Sequence, residues 1–293
     1  MRLANHEHRA TLVVGPPCAE RGLDVARLSG DRFGSDPAAL YPRWDEFTAW
    51  AANLDPAAAT ADAIPLERTR LGPPSPWPRQ VFAIGLNYRS HAEESGFDAP
   101  TGLPPVFTKY PSSFTGPDTT VPLPSGGNVD WEIELVVVIG RGGHGITVDA
   151  AWSHVAGLTA GQDLSERLTQ LRGPAPQFGL GKSFPGFSPQ GPWLVTPDEF
   201  ADPDDLELGC VLDGEQVQKG RTRDLIFPVP ALISALSDTV TLQPGDVVFT
   251  GTPAGVGVGR RPQRFIQPGQ RLRGWVEGIG ELHQVFQDAT DQH

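Results

Sequence analysis

The chain has 293 residues, 35 of them acidic and 23 basic, giving a formal charge of −12. That acidic surplus argues against a nucleic-acid binder, which needs a basic surface to meet phosphates, and against a surface that clings to anionic lipid. A content of 39% hydrophobic and 20% charged residues fits a folded globular chain of one large domain or two smaller ones, and not a disordered one.

No run approaches the roughly 18 apolar residues that a spanning helix needs. The polar stretch Met1–Arg9 is not expected to act as a signal peptide. Cys18 and Cys210 are too far apart in sequence to suggest a disulfide framework or a thiolate zinc site, and a reducing cytoplasm is the expected setting. With 34 glycines and 30 prolines, long helices have little room, and a β-dominated, loop-rich architecture is expected.

In chain order, Thr11–Val14 reads as a strand ended by Gly15-Pro16-Pro17. Trp44, Phe47, Trp50 and Ala51 recur at helical spacing. The proline-rich run Leu71–Pro78 reads as a linker or extended crossing segment, so a boundary is expected between a small unit, 1–72, and a larger one, 73–293. Gln80–Gly85 is a predicted buried strand, His91–Ser95 a helical turn, and Gly96–Gly102 a lid-like loop carrying Phe97. Trp131–Gly140 gives the strongest strand pattern. Leu158–Leu171 reads as a strand end running into a helix. Pro192–Val195 and Leu206–Leu212 are further strands, the second closed by an Asp213-Gly214 hairpin turn. Ile226–Val240 is the clearest amphipathic helix, and Asp246–Thr250 a strand running into the glycine-rich Gly251–Gly259.

Glu132 and Glu134 lie two residues apart, on one face of their strand and roughly 6.6–7 Å apart along it. By themselves they read as a solvated face. If buried, they need neutralising, and an all-oxygen set selects Mg²⁺, Mn²⁺ or Ca²⁺ over zinc. Asp163 reads as a helix N-cap or as a third carboxylate ligand. Arg167 and Gln170 follow on the same helical face, as a surface pair or as grips on an anionic substrate. His91 and Glu94 sit one turn apart, the spacing of a general base with an orienting carboxylate, though such pairs also arise by chance. Lys182, flanked by apolar residues, reads as buried near an anion or as an ordinary surface lysine. Gly251–Gly259 lacks the Gly-Lys-Ser/Thr ending of a phosphate loop and reads as a tight turn presenting the Thr252 hydroxyl and backbone amides. No Gly-x-Ser-x-Gly elbow is present.

From residue 80 onward these pieces, taken together, resemble the fumarylacetoacetate hydrolase family. The matching residues are Gly85-Leu86-Asn87-Tyr88 with His91 and Glu94; Phe107-Thr108-Lys109; Asp130–Leu135; Asp163 with Arg167 and Gln170; Lys182-Ser183-Phe184; Thr222–Phe227; and Gly251–Gly257. The resemblance implies a mixed β-roll catalytic domain with a small N-terminal α/β domain, a homodimer, and Mg²⁺ or Mn²⁺ held by Glu132, Glu134 and Asp163. It implies that His91 and Glu94 activate water, that Lys182 stabilises negative charge, and that Tyr88, Arg167, Gln170 and Thr252 hold a 2-oxo or β-diketo acid. Leu168 departs from the pattern, which often has an acid there.

Such a site stabilises an enolate with a Lewis acid, and one enolate serves C–C hydrolysis, isomerisation and decarboxylation alike. The His91/Glu94 pair inclines this reading to hydrolysis of an acylpyruvate-like β-diketo acid. An isomerase, tautomerase or decarboxylase of a 2-oxo acid is the alternative, and a non-catalytic metabolite-binding protein stands behind both.

Overall fold

In the computed structural model, which describes residues 1–54, 62–94, 96 and 102–289, the strongest predicted strand runs from Ile133 to Ile139 and is buried along its whole length. Its alternation decides the architecture. Ile133, Leu135, Val137 and Ile139 enter one hydrophobic cluster, and Val136 and Val138 enter another. A strand covered on both faces has to be central.

In chain order, the strands of the first 72 residues are β1 (Arg2–His6), β2 (Arg9–Val14), β3 (Arg21–Asp24), β4 (Ile64–Pro65) and β5 (Leu71–Gly72). Then come β6 (Val81–Ile84), β7 (Val106–Phe107), β8 (Phe114–Thr115), β9 (Asp118–Leu123), β10 (Val129–Asp130) and the central β11 (Ile133–Ile139). After it follow β12 (Val155–Gln162), β13 (Ser165–Glu166), β14 (Ser188–Val195), β15 (Glu207–Leu212), β16 (Glu215–Arg221), β17 (Val247–Phe249), β18 (Arg271–Val276) and β19 (Gly280–Asp288). Short helices connect them: α1 (Val25–Leu28), α2 (Trp44–Ala51), α3 (Arg89–Glu94), α4 (Arg167–Gln170), α5 (Phe178–Gly181) and α6 (Val229–Ser237). Even α6 has only 9 residues, as the density of breakers implies.

The large sheet runs β4-β3-β2-β1-β14-β12-β11-β17-β6-β7. A second sheet, β16-β15-β18-β19-β9, packs over one face of it, and Leu208, Leu272 and Leu282 meet Ile133, Leu135 and Val137 between the two. The other face of β11 is covered from the N-terminal part, where Leu3, Leu40, Tyr41, Trp44 and Phe47 cluster with Val136, Val138 and Phe249. Residues 1–72 are also stitched in by hydrogen bonding, because β1 pairs antiparallel with β14 at Leu3↔Leu194 and β5 pairs with β1. The Leu71–Pro78 crossing is pinned, with the Ser75 hydroxyl donating to the Gly245 carbonyl at 2.7 Å and the Tyr41 hydroxyl to that of Pro74 at 3.0 Å.

Two local expectations shift. Helix α6 begins at Val229 rather than near Ile226, because Pro228 holds the chain extended just before it. Asp163 does not cap a helix. The chain first makes β13, so the helix starts at Arg167 and the Glu166 carboxylate takes the amides of Leu168 and Thr169. The lid residues 97–101, Phe97 included, lie outside the described residues. The hairpin turn falls where expected, with Asp213 and Gly214 at φ 48° and 86°.

Candidate active site

The three expected carboxylates meet because of strand register. In the β11/β12 pair, Ile133 lies opposite Gln162, so Asp163 at the end of β12 sits beside Glu132. The Asp163 amide donates to the Glu132 carbonyl at 2.8 Å. Glu134 lies on the same face of β11 as Glu132, and its carboxylate accepts the Gly251 amide at 2.7 Å. Gly251 reaches that position at φ 103°, in the left-handed region, where a side chain would also strike Asn87. Ligand oxygens from Glu132, Glu134 and Asp163 all lie within 4.8 Å of one another, and all three residues are buried.

Burying such a cluster requires cations. Lys182 is buried, and its Nζ lies 2.8 Å from Glu132 and 2.6 Å from Asp163, so the surface reading of this lysine does not hold. Lys109, fully buried, lies 2.5 Å from Asp163 on the other side and also donates to the backbone carbonyl of Lys182. Arg167 forks between Asp130 at 2.7 Å and Glu132 at 2.8 Å, while donating to Gln170 at 2.9 Å. Burial raises the Glu132 carboxyl, but the charges of Lys182 and Arg167 outweigh it and carry it down to about 2. Glu134 goes the other way: burial, reinforced by the charges of Asp163 and Glu132, holds its carboxyl well above the usual range.

Formally, three cations face four carboxylates, Asp130, Glu132, Glu134 and Asp163, and among the described residues Glu134 is the one with no cation paired to it. A buried, all-oxygen donor set short of positive charge suits a hard divalent cation.

A cavity of about 570 Å³ opens onto this cluster. Glu132, Lys182, Arg167, Gln170 and Thr252 line it, as do His91 and Glu94. His91 Nδ1 is buried without a hydrogen-bond partner among the described residues, 3.6 Å from Glu94 Oε2, close enough to pair but longer than a hydrogen bond. The Glu94 carboxylate accepts the Gly255 amide at 3.0 Å. Burial raises the Glu94 carboxyl, but His91 and the backbone amides reverse this and leave it below the ordinary range.

The remaining expected residues divide. The Thr252 hydroxyl is engaged internally, donating to the Ile133 carbonyl at 2.8 Å and accepting from Gln218 at 2.8 Å. Tyr88 is buried outside the cavity wall, and its hydroxyl has no partner among the described residues. Leu168 is exposed on the surface, away from the cavity wall.

Sequence reasoning left Lys109, Asp130 and Gln218 without roles. Asp130 accepts from Arg167 and also from the amides of Gly257 at 2.7 Å and Val258 at 2.9 Å, tying the glycine-rich loop to the site. Its signal was the two-residue alternation, which runs 130, 132, 134. Gly257 permits this contact, since a Cβ there would collide with the Arg264 carbonyl.

Residues 80–287 match the profile described as fumarylacetoacetate (FAA) hydrolase C-terminal. The chain is 42% identical over 226 residues to a human mitochondrial oxaloacetate tautomerase, covering 77% of this chain and 72% of the relative. A crystal structure of a candidate HpcE protein from Mycobacterium smegmatis is 55% identical, with a TM-score of 0.91 over 99% of this chain and all of the other. Maleylpyruvate hydrolase from Sphingobium sp. SYK-6, solved with manganese(II) and pyruvate, is 28% identical, with a TM-score of 0.78 over 98% of this chain and 100% of that one. With the profile spanning most of the chain and the carboxylate cluster in place, the chain belongs to the fumarylacetoacetate hydrolase family.

Proposed function

We propose that this protein is a keto–enol tautomerase of a 2-oxo acid, moving a proton between C3 and the 2-oxo oxygen. The observation that carries this reading is His91. Every cavity-lining carboxylate is already engaged, Glu132 by Lys182 and Arg167 and Glu94 by the Gly255 amide. His91 alone among these acid–base groups has no hydrogen bond among the described residues: its buried Nδ1 faces Glu94 at 3.6 Å, and its Nε2 is left without a partner. A proton shift within one molecule needs a single group that takes the proton and returns it.

Glu132, Glu134 and Asp163 would hold Mg²⁺ or Mn²⁺, which when bound supplies a Lewis acid that draws charge from the oxygens of a 2-oxo carboxylate. His91 Nε2, on the ring edge away from Glu94, takes the C3 proton. The C–H electron pair moves into the C2–C3 bond and the carbonyl pair onto oxygen. Glu94 steadies the imidazolium at Nδ1, and the proton returns to that oxygen. Lys182 Nζ adds positive charge beside it. Phe107 and Phe178, packed edge to face at 5.6 Å, wall the cavity and limit water. The tautomerase name of the human relative supports this reading.

The test is the decay of enol-oxaloacetate absorbance in buffer with Mg²⁺ or Mn²⁺. Catalysed decay without fragments is expected, with a loss of about 10²-fold or more in His91→Ala. Equal activity in that variant would contradict the reading. A second reading, hydrolysis of an acylpyruvate, is favoured by the same His91/Glu94 pair acting on water and by the hydrolase named above. Release of pyruvate and a carboxylic acid would establish it instead.

A further inference from the structure

We infer that Gln218 is a positioning residue for the carboxylate cluster, tying the backbone between Glu132 and Glu134 to the glycine-rich loop; this rests on the divalent-cation reading above. Gln218 belongs to β16, at the edge of the second sheet, yet it is buried. Strand register explains how. Gln218 lies opposite Cys210 and Gln216 opposite Val211, so Val217 is an extra residue in the pairing. Such a bulge breaks the alternation of a strand, and Val217 and Gln218 are both turned inward and buried.

What Gln218 meets there is the start of β11. Three successive amides at the first ligand donate to side chains instead of to a neighbouring strand: Trp131 to Asp130 at 2.9 Å, Glu132 to Gln162 at 3.1 Å and Ile133 to Gln218 at 3.0 Å. An apolar residue of the same size would fill the space of Gln218 and leave the buried Ile133 amide unpaired, which is costly. The other end of the side chain holds the loop. Nε2 donates to the Pro253 carbonyl at 2.7 Å and to the Thr252 hydroxyl at 2.8 Å. The Ile133 amide can only donate and the Pro253 carbonyl can only accept, so the Gln218 amide has a single orientation. The Thr252 proton then goes to the Ile133 carbonyl at 2.8 Å. One side chain thus closes a ring around Ile133, the residue between two of the expected ligands. It also fixes the loop whose Gly251 amide holds Glu134.

Mn²⁺ binding to the full chain, followed by electron paramagnetic resonance of the free ion, tests this beside a urea titration. Gln218→Met keeps size and burial and is expected to bind Mn²⁺ about tenfold more weakly or worse. Leu236→Ala, in the core on α6, is the control for destabilisation alone: its urea midpoint should fall while its Mn²⁺ affinity stays at the wild-type value. Thr252→Val breaks the ring at the loop and keeps the Ile133–Gln218 bond; it serves should Gln218→Met not fold, and a several-fold loss is expected. Wild-type affinity in Gln218→Met or in Thr252→Val would overturn the role of Gln218 and leave the cation site standing. Failure of wild type to bind Mn²⁺ would overturn both.

Discussion

Lys109 shows how much of the site depends on one residue that makes no contact with the cavity. Its ammonium is fully buried, lies against Asp163 and donates to the backbone beside Lys182. Burial lowers its pKa, and Asp163 recovers only part of that shift. Lys182, equally buried, is raised overall, because Asp163 and Glu132 together outweigh its desolvation. Lys109 therefore holds Asp163 in place at an energetic cost that Lys182 does not bear. Removing it in Lys109→Met leaves a buried carboxylate short of a cation, which costs about 3–5 kcal/mol. A urea titration should show that loss as a lower midpoint, and a midpoint equal to wild type would mean that Asp163 is not held this way. Glu132 and Glu134 were legible in the sequence because a strand's two-residue period puts them on one face. Asp130 shares that alternation, but its partner Arg167 lies 37 residues away in sequence, and Lys109, 54 residues from Asp163, had no such local signal.

Among the elements, α3 carries both His91 and Glu94, and its grip on the glycine-rich loop is the Glu94–Gly255 hydrogen bond. The Glu94 carboxyl sits below its ordinary value of 4.5 in the folded protein. A group shifted in this direction stabilises the docked helix fully above the ordinary value, and that contribution is lost as pH falls through the lowered folded value. Protection of the α3 amides, taken relative to their intrinsic exchange rate at each pH, should therefore fall below about pH 4.5 in wild type. In Glu94→Gln that protection should be lower at neutral pH and nearly flat across the same range. A wild-type profile unchanged by the substitution would show that another contact holds the helix. Elements such as α2, β11 and the Asp213-Gly214 hairpin were legible because their signals are local. The pairing of β1 with β14 was not, since no local pattern sets Leu3 opposite Leu194.

For the molecule as a whole, the carboxylate cluster is a charge imbalance enclosed by two sheets and an N-terminal layer. Both hydrophobic clusters meet at β11, the strand that carries Glu134. A divalent cation that binds only the folded state stabilises it by about 2.7 kcal/mol at a hundredfold excess over Kd. Mn²⁺ or Mg²⁺ should raise Tm by several degrees, EDTA should reverse the rise, and Glu134→Gln should shrink it. An unchanged Tm across millimolar metal would argue against the cation site.

The central claim is that His91, beside the carboxylate cluster, exchanges a proton with C3 of a 2-oxo acid. It is tested most directly by nuclear magnetic resonance in D₂O, following deuterium uptake at C3 of pyruvate or 2-oxobutyrate with Mg²⁺ present. In tautomerisation that transfer is the reaction itself, and in C–C hydrolysis the same protonation of C3 follows cleavage as the enolate of pyruvate is released, so the readout does not depend on which product forms. The account predicts exchange well above the protein-free rate, abolished by EDTA and lost in His91→Ala. Exchange no faster than the protein-free control, or undiminished in His91→Ala, would contradict it.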